Sequence, residues 1–297
     1  MSLAVRRIGH ATFETPDISR MTEYYVHVIG LSLSGSEKSR AFLSTPTGLP
    51  AVTLVQGSVA RCTGLSFQID PGTELGDAAK ELSAEFNVAS SRRSDSHPSM
   101  GDVLSFADSN GTEIDVFTAC SLAAEDRAAK AILPLKLGHI AFKTTELEAA
   151  VRFYQDVLGF RVSDWRGDFF VWMRCGPDHH TTNFVRGDQT KMHHVAFELK
   201  DAAEILRACD HLGRNNYKLI YGPGRHLIGD NIFTYHRNPD GQIVELFTEL
   251  ARMDSEAVGS FAPRPWHVDN PYVPKVWDAA TQGNLWGPGA PPGFGDG

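Results

Sequence analysis

Residues 137–160 read LGHIAFKTTELEAAVRFYQDVLGF and residues 8–31 read IGHATFETPDISRMTEYYVHVIGL, so that His139 and His10, Tyr154 and Tyr25, and Gly159 and Gly30 share one offset of 129 positions. Self-similarity at a fixed spacing is the signature of a duplicated unit, and missing it would misassign the whole fold. The echo continues downstream. DGQIVELFT at 240–248 puts Glu245 where NGTEIDVFT at 110–118 puts Asp115, and HVAFEL from His194 falls opposite GLSFQI from Gly64, both at an offset of 130. A weaker repeat lies inside each half, with His10 and Gly64 54 apart and His139 and His194 55 apart. HIAFK and HVAFE alternate as half-buried strands do. The segment that follows His139 carries Leu147, Val151, Tyr154 and Leu158 along one helical face and ends near Gly159, before short strands such as FFVWMRCG. The pattern predicts an α+β chain of four units, each a strand, a helix and two or three further strands. They pair into a first domain over 1–128 and a second over 135–250. The join SLAAEDRAAKAILP at 121–134 reads as a short helix or linker.

From Phe261 onward the composition changes. Pro263, Pro265, Pro271 and Pro274 lead into GPGAPPGFGDG, too rich in Pro and Gly for regular elements. Residues 251–297 therefore form an appended tail. Its Trp266, Trp277 and Trp286 predict that the part before Gly287 lies against a domain, with the last ten or so residues loose.

Composition narrows the function. With 42% hydrophobic and 22% charged residues, 297 residues supply two cores of ordinary size. The 28 Lys and Arg against 36 Asp and Glu give a net charge of −8 and no basic run, which argues against a nucleic-acid partner. No apolar run approaches the roughly 18 residues of a membrane helix, and the start is too polar for a signal peptide, so a cytoplasmic protein without membrane association is expected. Cys62, Cys120, Cys175 and Cys209 have neither zinc-site nor thioredoxin-like spacing and are expected to be unpaired.

The chemistry lies in the second half. The first strand of each unit there and the last strand of the second would bring His139, His194 and Glu245 into one concave cavity. Glu245 in the apolar strand IVELF must be paired or coordinated. Two imidazoles and one carboxylate on one face of a metal leave adjacent positions open and suit non-heme Fe(II), with Mn(II) as an alternative. The first half keeps His10 and Asp115 but has Gly64 in place of the second histidine, so its site reads as decayed, with His10 and Asp115 as a hydrogen-bonded remnant. A further polar group belongs to the active half: His179 and His180 in GPDHHTT, His226 in GPGRH, and Tyr235 in FTYHRNPDG. Opening a catechol ring requires the diol to lose protons and the O–O bond to be broken with proton delivery, work for a histidine and a tyrosine hydroxyl. His193 and His236 alternate away from His194 and Tyr235 and are assigned to solvent. Phe170 and Trp172 share a strand face near His180 and, with His179, are expected to wall the substrate pocket, favouring a hydrophobic or two-ring catechol.

At this point a family resemblance appears. GRHLIGDNIFTYHRNPDGQIVELF at 224–247 resembles the signature of type I extradiol ring-cleaving dioxygenases of the vicinal oxygen chelate superfamily, in which Gly-x-His precedes a Tyr, Asn-Pro-x-Gly and an iron-ligating Glu. In this sequence those are His226, Tyr235, Asn238, Pro239, Gly241 and Glu245. Thr234 stands where the pattern is usually apolar. LGH at His139 and HHVAF at His194 are similar to the family's ligand histidines, and DHHTT to its acid–base histidine, by position His180. The resemblance covers nearly the entire chain and implies βαβββ units, Fe(II), a catechol-type substrate with O2, and a homo-oligomer acting in aromatic compound degradation. It also implies that His180 is base and then acid, that Tyr235 bonds substrate oxygens, and that His226 orients the diol. Asn238 is expected at the pocket, shaping with Pro239 and Gly241 the turn into the Glu245 strand. Two other readings compete: a glyoxalase-like isomerase or lyase, and a metal-free protein that binds small aromatics.

Overall fold

The computed structural model describes residues 2–124, 132–254 and 273–296. The first half comprises β1 (Arg7–Thr15), α1 (Ile18–Tyr24), β2 (Ser32–Glu37), β3 (Arg40–Ser44) and β4 (Pro50–Gln56), then β5 (Arg61–Gln68), α2 (Leu75–Phe86), β6 (Ser91–Arg93), β7 (Val103–Ala107) and β8 (Glu113–Phe117). The second half repeats this order with β9 (Lys136–Thr144), α3 (Leu147–Asp156), β10 (Arg161–Arg166), β11 (Phe170–Arg174) and β12 (Thr182–Arg186). Its second unit is β13 (Lys191–Glu198), α4 (Ala202–Arg214), β14 (Leu219–Arg225), β15 (Ile232–Arg237) and β16 (Ile243–Thr248). Each half is one mixed sheet, ordered β2-β3-β4-β1-β5-β8-β7-β6 in the first. The second is β14-β15-β16-β13-β9-β12-β11-β10, extended at its β10 edge by β17 (Lys275–Trp277) from the tail. This is the α+β fold of paired βαβββ units.

Local sequence explains the elements. In α3, Leu147, Ala150, Val151 and Tyr154 recur at helical spacing and are buried, and Gly159 beyond its end takes φ of 75°, a conformation that costs glycine little. In α4, the Asp201 side chain accepts from the backbone N–H of Glu204, capping the helix, and Ile205, Ala208 and Leu212 face inward. Among the described residues no helix is long and apolar enough to cross a membrane. All four cysteines are free, although only Cys175 is fully buried.

The central strands position the site. β9 pairs antiparallel with β13, which runs parallel to β16. In this register His139 lies opposite Ala196, His194 opposite Ala141, and Ala196 opposite Glu245. Residues two apart on a strand share a face, so the three candidate ligands project to one side of the sheet with two alanines between them. Larger side chains at Ala141 or Ala196 would fill the space the ligands enclose.

The first half shows what becomes of that space without the second histidine. His10 Nδ1 bonds Ser66 Oγ at 2.7 Å and its ring packs 5.2 Å from that of His97. Asp115 accepts from Ser96, Ser105 and, at 2.8 Å, Arg93. The expected bond between His10 and Asp115 is therefore replaced by separate partners, and a guanidinium supplies the positive charge that a buried carboxylate needs.

The tail differs from its expected form. Residues 125–131 of the join and Trp266 lie outside the described residues. The described tail residues pair β17 with β10 and return over the second half, where the Phe294 ring packs against His193, Tyr221 and Tyr235 at 5.2, 5.2 and 4.9 Å. The last residues are thus docked rather than loose, because an aromatic ring among the Gly and Pro finds an apolar cleft to fill.

Candidate metal centre

His139 Nε2, His194 Nε2 and Glu245 Oε2 form a near-equilateral triangle, with the two nitrogens 3.2 Å apart and each 3.1 Å from the oxygen. Three donors at right angles about a metal, each about 2.1 Å from it, stand roughly 3.0 Å apart, whereas tetrahedral donors stand roughly 3.4 Å apart. The triangle is nearer the first arrangement, in which one face of an octahedron is protein and the other is open. The donors are buried, Glu245 to 1% exposure. Burial pushes the Glu245 carboxyl up, but His139 and His194 overcome this and hold it well below the usual carboxylate range. His139 is pushed down by burial, more than Glu245 raises it, and so presents a neutral ring. The residues therefore fit a divalent iron or manganese ion.

Supporting contacts fix the donors. Asn231 Nδ2 donates to Glu245 Oε1 at 3.0 Å, leaving Oε2 for the centre. His194 Nδ1 lies 2.7 Å from His193 Nδ1, and His193 Nε2 lies 2.9 Å from the Phe294 carbonyl oxygen. His193 is pushed down to about 3, first by burial and then by His194.

A cavity of about 500 Å³ opens over the triangle. His180 lines it with its ring centroid 4.3 Å from that of His139. Burial pushes His180 well below the usual imidazole value, and His139 and His179 add to the shift. His226 Nε2 and the Tyr235 hydroxyl are 3.1 Å apart, and His226 Nδ1 donates to the Gly283 carbonyl at 2.6 Å. Burial lowers His226 and raises Tyr235, so both are neutral hydrogen-bonding groups near pH 7. Phe170 and Trp172, stacked at 4.0 Å, form one apolar wall, and Ile228, Tyr221 and Phe294 form others.

Four expectations need correction. His179 does not line the cavity: it is fully buried behind His180, with Nδ1 3.0 Å from His180 Nδ1 and Nε2 3.0 Å from Asp164 Oδ2. Asn238 is not a pocket residue either, because its side chain closes its own turn, accepting from Gln242 N at 2.9 Å. His193 is not solvated, since the strand slips register between Met192 and His194 and Phe294 covers the ring, which also borders the cavity. His236 does point away from the site, but it is buried against the first half, 2.6 Å from the Tyr24 hydroxyl. Sequence reasoning missed Asn231, Asp164, Ala141 and Ala196. The alanines do carry a signal, standing two residues after each ligand histidine.

The fold is the vicinal-oxygen-chelate fold, and it carries a candidate two-histidine, one-carboxylate centre. Residues 136–246 match the model of the Glyoxalase/Bleomycin resistance protein/Dioxygenase superfamily. The chain is 28% identical over 172 residues to metapyrocatechase 2 of Cupriavidus necator, a match spanning 55% of this chain and about half, 48%, of that relative. It is 22% identical over 281 residues to an iron-dependent extradiol dioxygenase of Rhodococcus jostii, covering 86% of this chain and 93% of that one. A Mn(II)-bound glyoxalase from Novosphingobium aromaticivorans superposes with a TM-score of 0.83 at 25% identity, covering 98% and 93% of the two chains.

Proposed function

We propose that the protein is an extradiol dioxygenase that opens a catechol-type ring with O2 at a divalent iron or manganese held by His139, His194 and Glu245. The observation that carries this reading is the triangle of three buried donors with His180, His226 and Tyr235 gathered on the open side. Bound there, the metal supplies a centre that engages the diol and O2 together. The chain's own residues do the rest. His180, neutral because burial disfavours its charge, accepts a proton from the entering diol and returns it to the oxygen released when the O–O bond breaks. The His226–Tyr235 pair, anchored through Gly283, presents a fixed hydroxyl that orients the substrate oxygens. The walls formed by Phe170, Trp172 and Phe294 exclude water, and the cavity is larger than a single dihydroxybenzene needs, which favours a two-ring or substituted catechol.

The Mn(II)-bound glyoxalase likeness supports a second reading, an isomerase on the same scaffold. One experiment separates the two. Protein reconstituted anaerobically with Fe(II) is expected to consume O2 and develop a new visible absorbance with at least one of catechol, alkylcatechols, 2,3-dihydroxybiphenyl and protocatechuate. No O2 uptake with any of them, together with O2-independent isomerisation of a hemithioacetal, would overturn the dioxygenase reading. Assembly into a homo-oligomer belongs to the same proposal, supported by the apolar surface that Val276 and Trp286 leave exposed on the tail.

A further inference from the structure

Each of the two His-His pairs in this chain places one ring at the centre and one behind it, and the ring behind is tied at its far nitrogen to a group of the body or tail. Behind His194, His193 Nε2 meets the Phe294 carbonyl oxygen at 2.9 Å. Behind His180, His179 Nε2 meets Asp164 Oδ2 at 3.0 Å, while Asp164 Oδ1 accepts from the backbone N–H of Lys275 at 2.9 Å. A carbonyl and a carboxylate only accept, so each outer ring donates from Nε2. With one N–H on each ring, donated from Nε2, Nδ1 of each outer ring is left as an acceptor. Those Nδ1 atoms lie 2.7 Å from His194 Nδ1 and 3.0 Å from His180 Nδ1. The inner ring must therefore carry its proton on Nδ1.

We infer that His193 and His179 are positioning residues that fix the tautomer of the histidine beside them, so that His194 and His180 both present a bare Nε2 to the centre. For His194 that lone pair is the metal donor, standing 3.1 Å from Glu245 Oε2. For His180 it is a proton acceptor ready for the diol, so the same device serves binding in one pair and acid–base chemistry in the other. The second role rests on the dioxygenase reading; the first does not. Because β17 supplies the Lys275 N–H and the same tail supplies the Phe294 carbonyl, the tail holds both outer rings in register with the site.

The test compares Phe with Asn at each outer position. Phe keeps a ring and loses the acceptor, whereas Asn loses the ring and can place an amide oxygen where Nδ1 stood. His193→Phe is expected to weaken Mn(II) binding to the apoprotein, read by calorimetric titration, about 10- to 100-fold, with His193→Asn retaining most of the affinity. In the Fe(II)-loaded enzyme His179→Phe is expected to lower kcat about 10²-fold with KM and metal content unchanged, and His179→Asn to recover most of it. A packing role predicts the reverse order, so the reverse order in either pair, or equal behaviour of Phe and Asn, overturns the inference. Absence of O2 uptake by the unaltered protein would fail the dioxygenase reading while leaving the Mn(II) comparison intact.

Discussion

Glu245→Ala is expected to abolish stable metal binding and, with it, turnover. The carboxylate is the single negative donor of the set and stands 3.1 Å from both ligand nitrogens. Without it two imidazoles remain, in a cavity where the ion's charge has no buried counterpart. The affinity loss should exceed the roughly 10- to 100-fold that removing a supporting group costs. Glu245→Gln separates charge from shape: the amide can still take the Asn231 contact, yet it cannot neutralise a divalent ion, and it should fail nearly as completely. Metal stoichiometry after anaerobic loading is the measurement. His10→Ala, in the half where Arg93 already balances Asp115, should keep about one equivalent per chain. A chain that loses its metal in His10→Ala while Glu245→Ala retains it would reverse the assignment of the two halves.

His180→Gln is expected to leave metal content and anaerobic catechol affinity nearly unchanged while turnover falls by a factor on the order of 10² to 10⁴. Gln keeps a polar side chain of similar reach but neither accepts nor returns a proton near neutral pH. The donors His139, His194 and Glu245 do not use His180, whose contact with His139 is ring against ring at 4.3 Å. The loss should therefore appear in kcat, without a matching change in metal occupancy. Full turnover in this variant would move the proton transfer to His226 and Tyr235, which already share a hydrogen bond.

Much of the architecture was legible because duplication writes itself twice. Strand alternation and helical spacing recur at fixed offsets, and a Glu inside IVELF has few explanations other than a partner. The reading of the first half as a decayed site rests on the same repeat, through Gly64. What escaped the sequence was burial created by distant segments. Asp164 lies on β10, and β17 from more than a hundred residues away pairs alongside it. His193 and His236 were assigned to solvent by alternation, a rule that places side chains relative to their own sheet and says nothing of Phe294 or Tyr24 arriving on the other face. Asn231 sits in a loop whose local sequence carries no sign that it would reach Glu245. The docked end of the tail was hidden by its Gly and Pro content, which describes the backbone and not the one aromatic anchor within it.

The three candidate ligands come from three different strands, with His139 and Glu245 separated by 106 residues. An unfolded chain cannot hold such a set together, so the ion discriminates almost completely between native and denatured states. Metal occupancy then becomes a thermodynamic linkage: at a free concentration a hundred times Kd it adds about 2.7 kcal/mol to the unfolding free energy. Chelators should accordingly lower the thermal transition of the protein, and a cell short of iron would carry it in a less durable form.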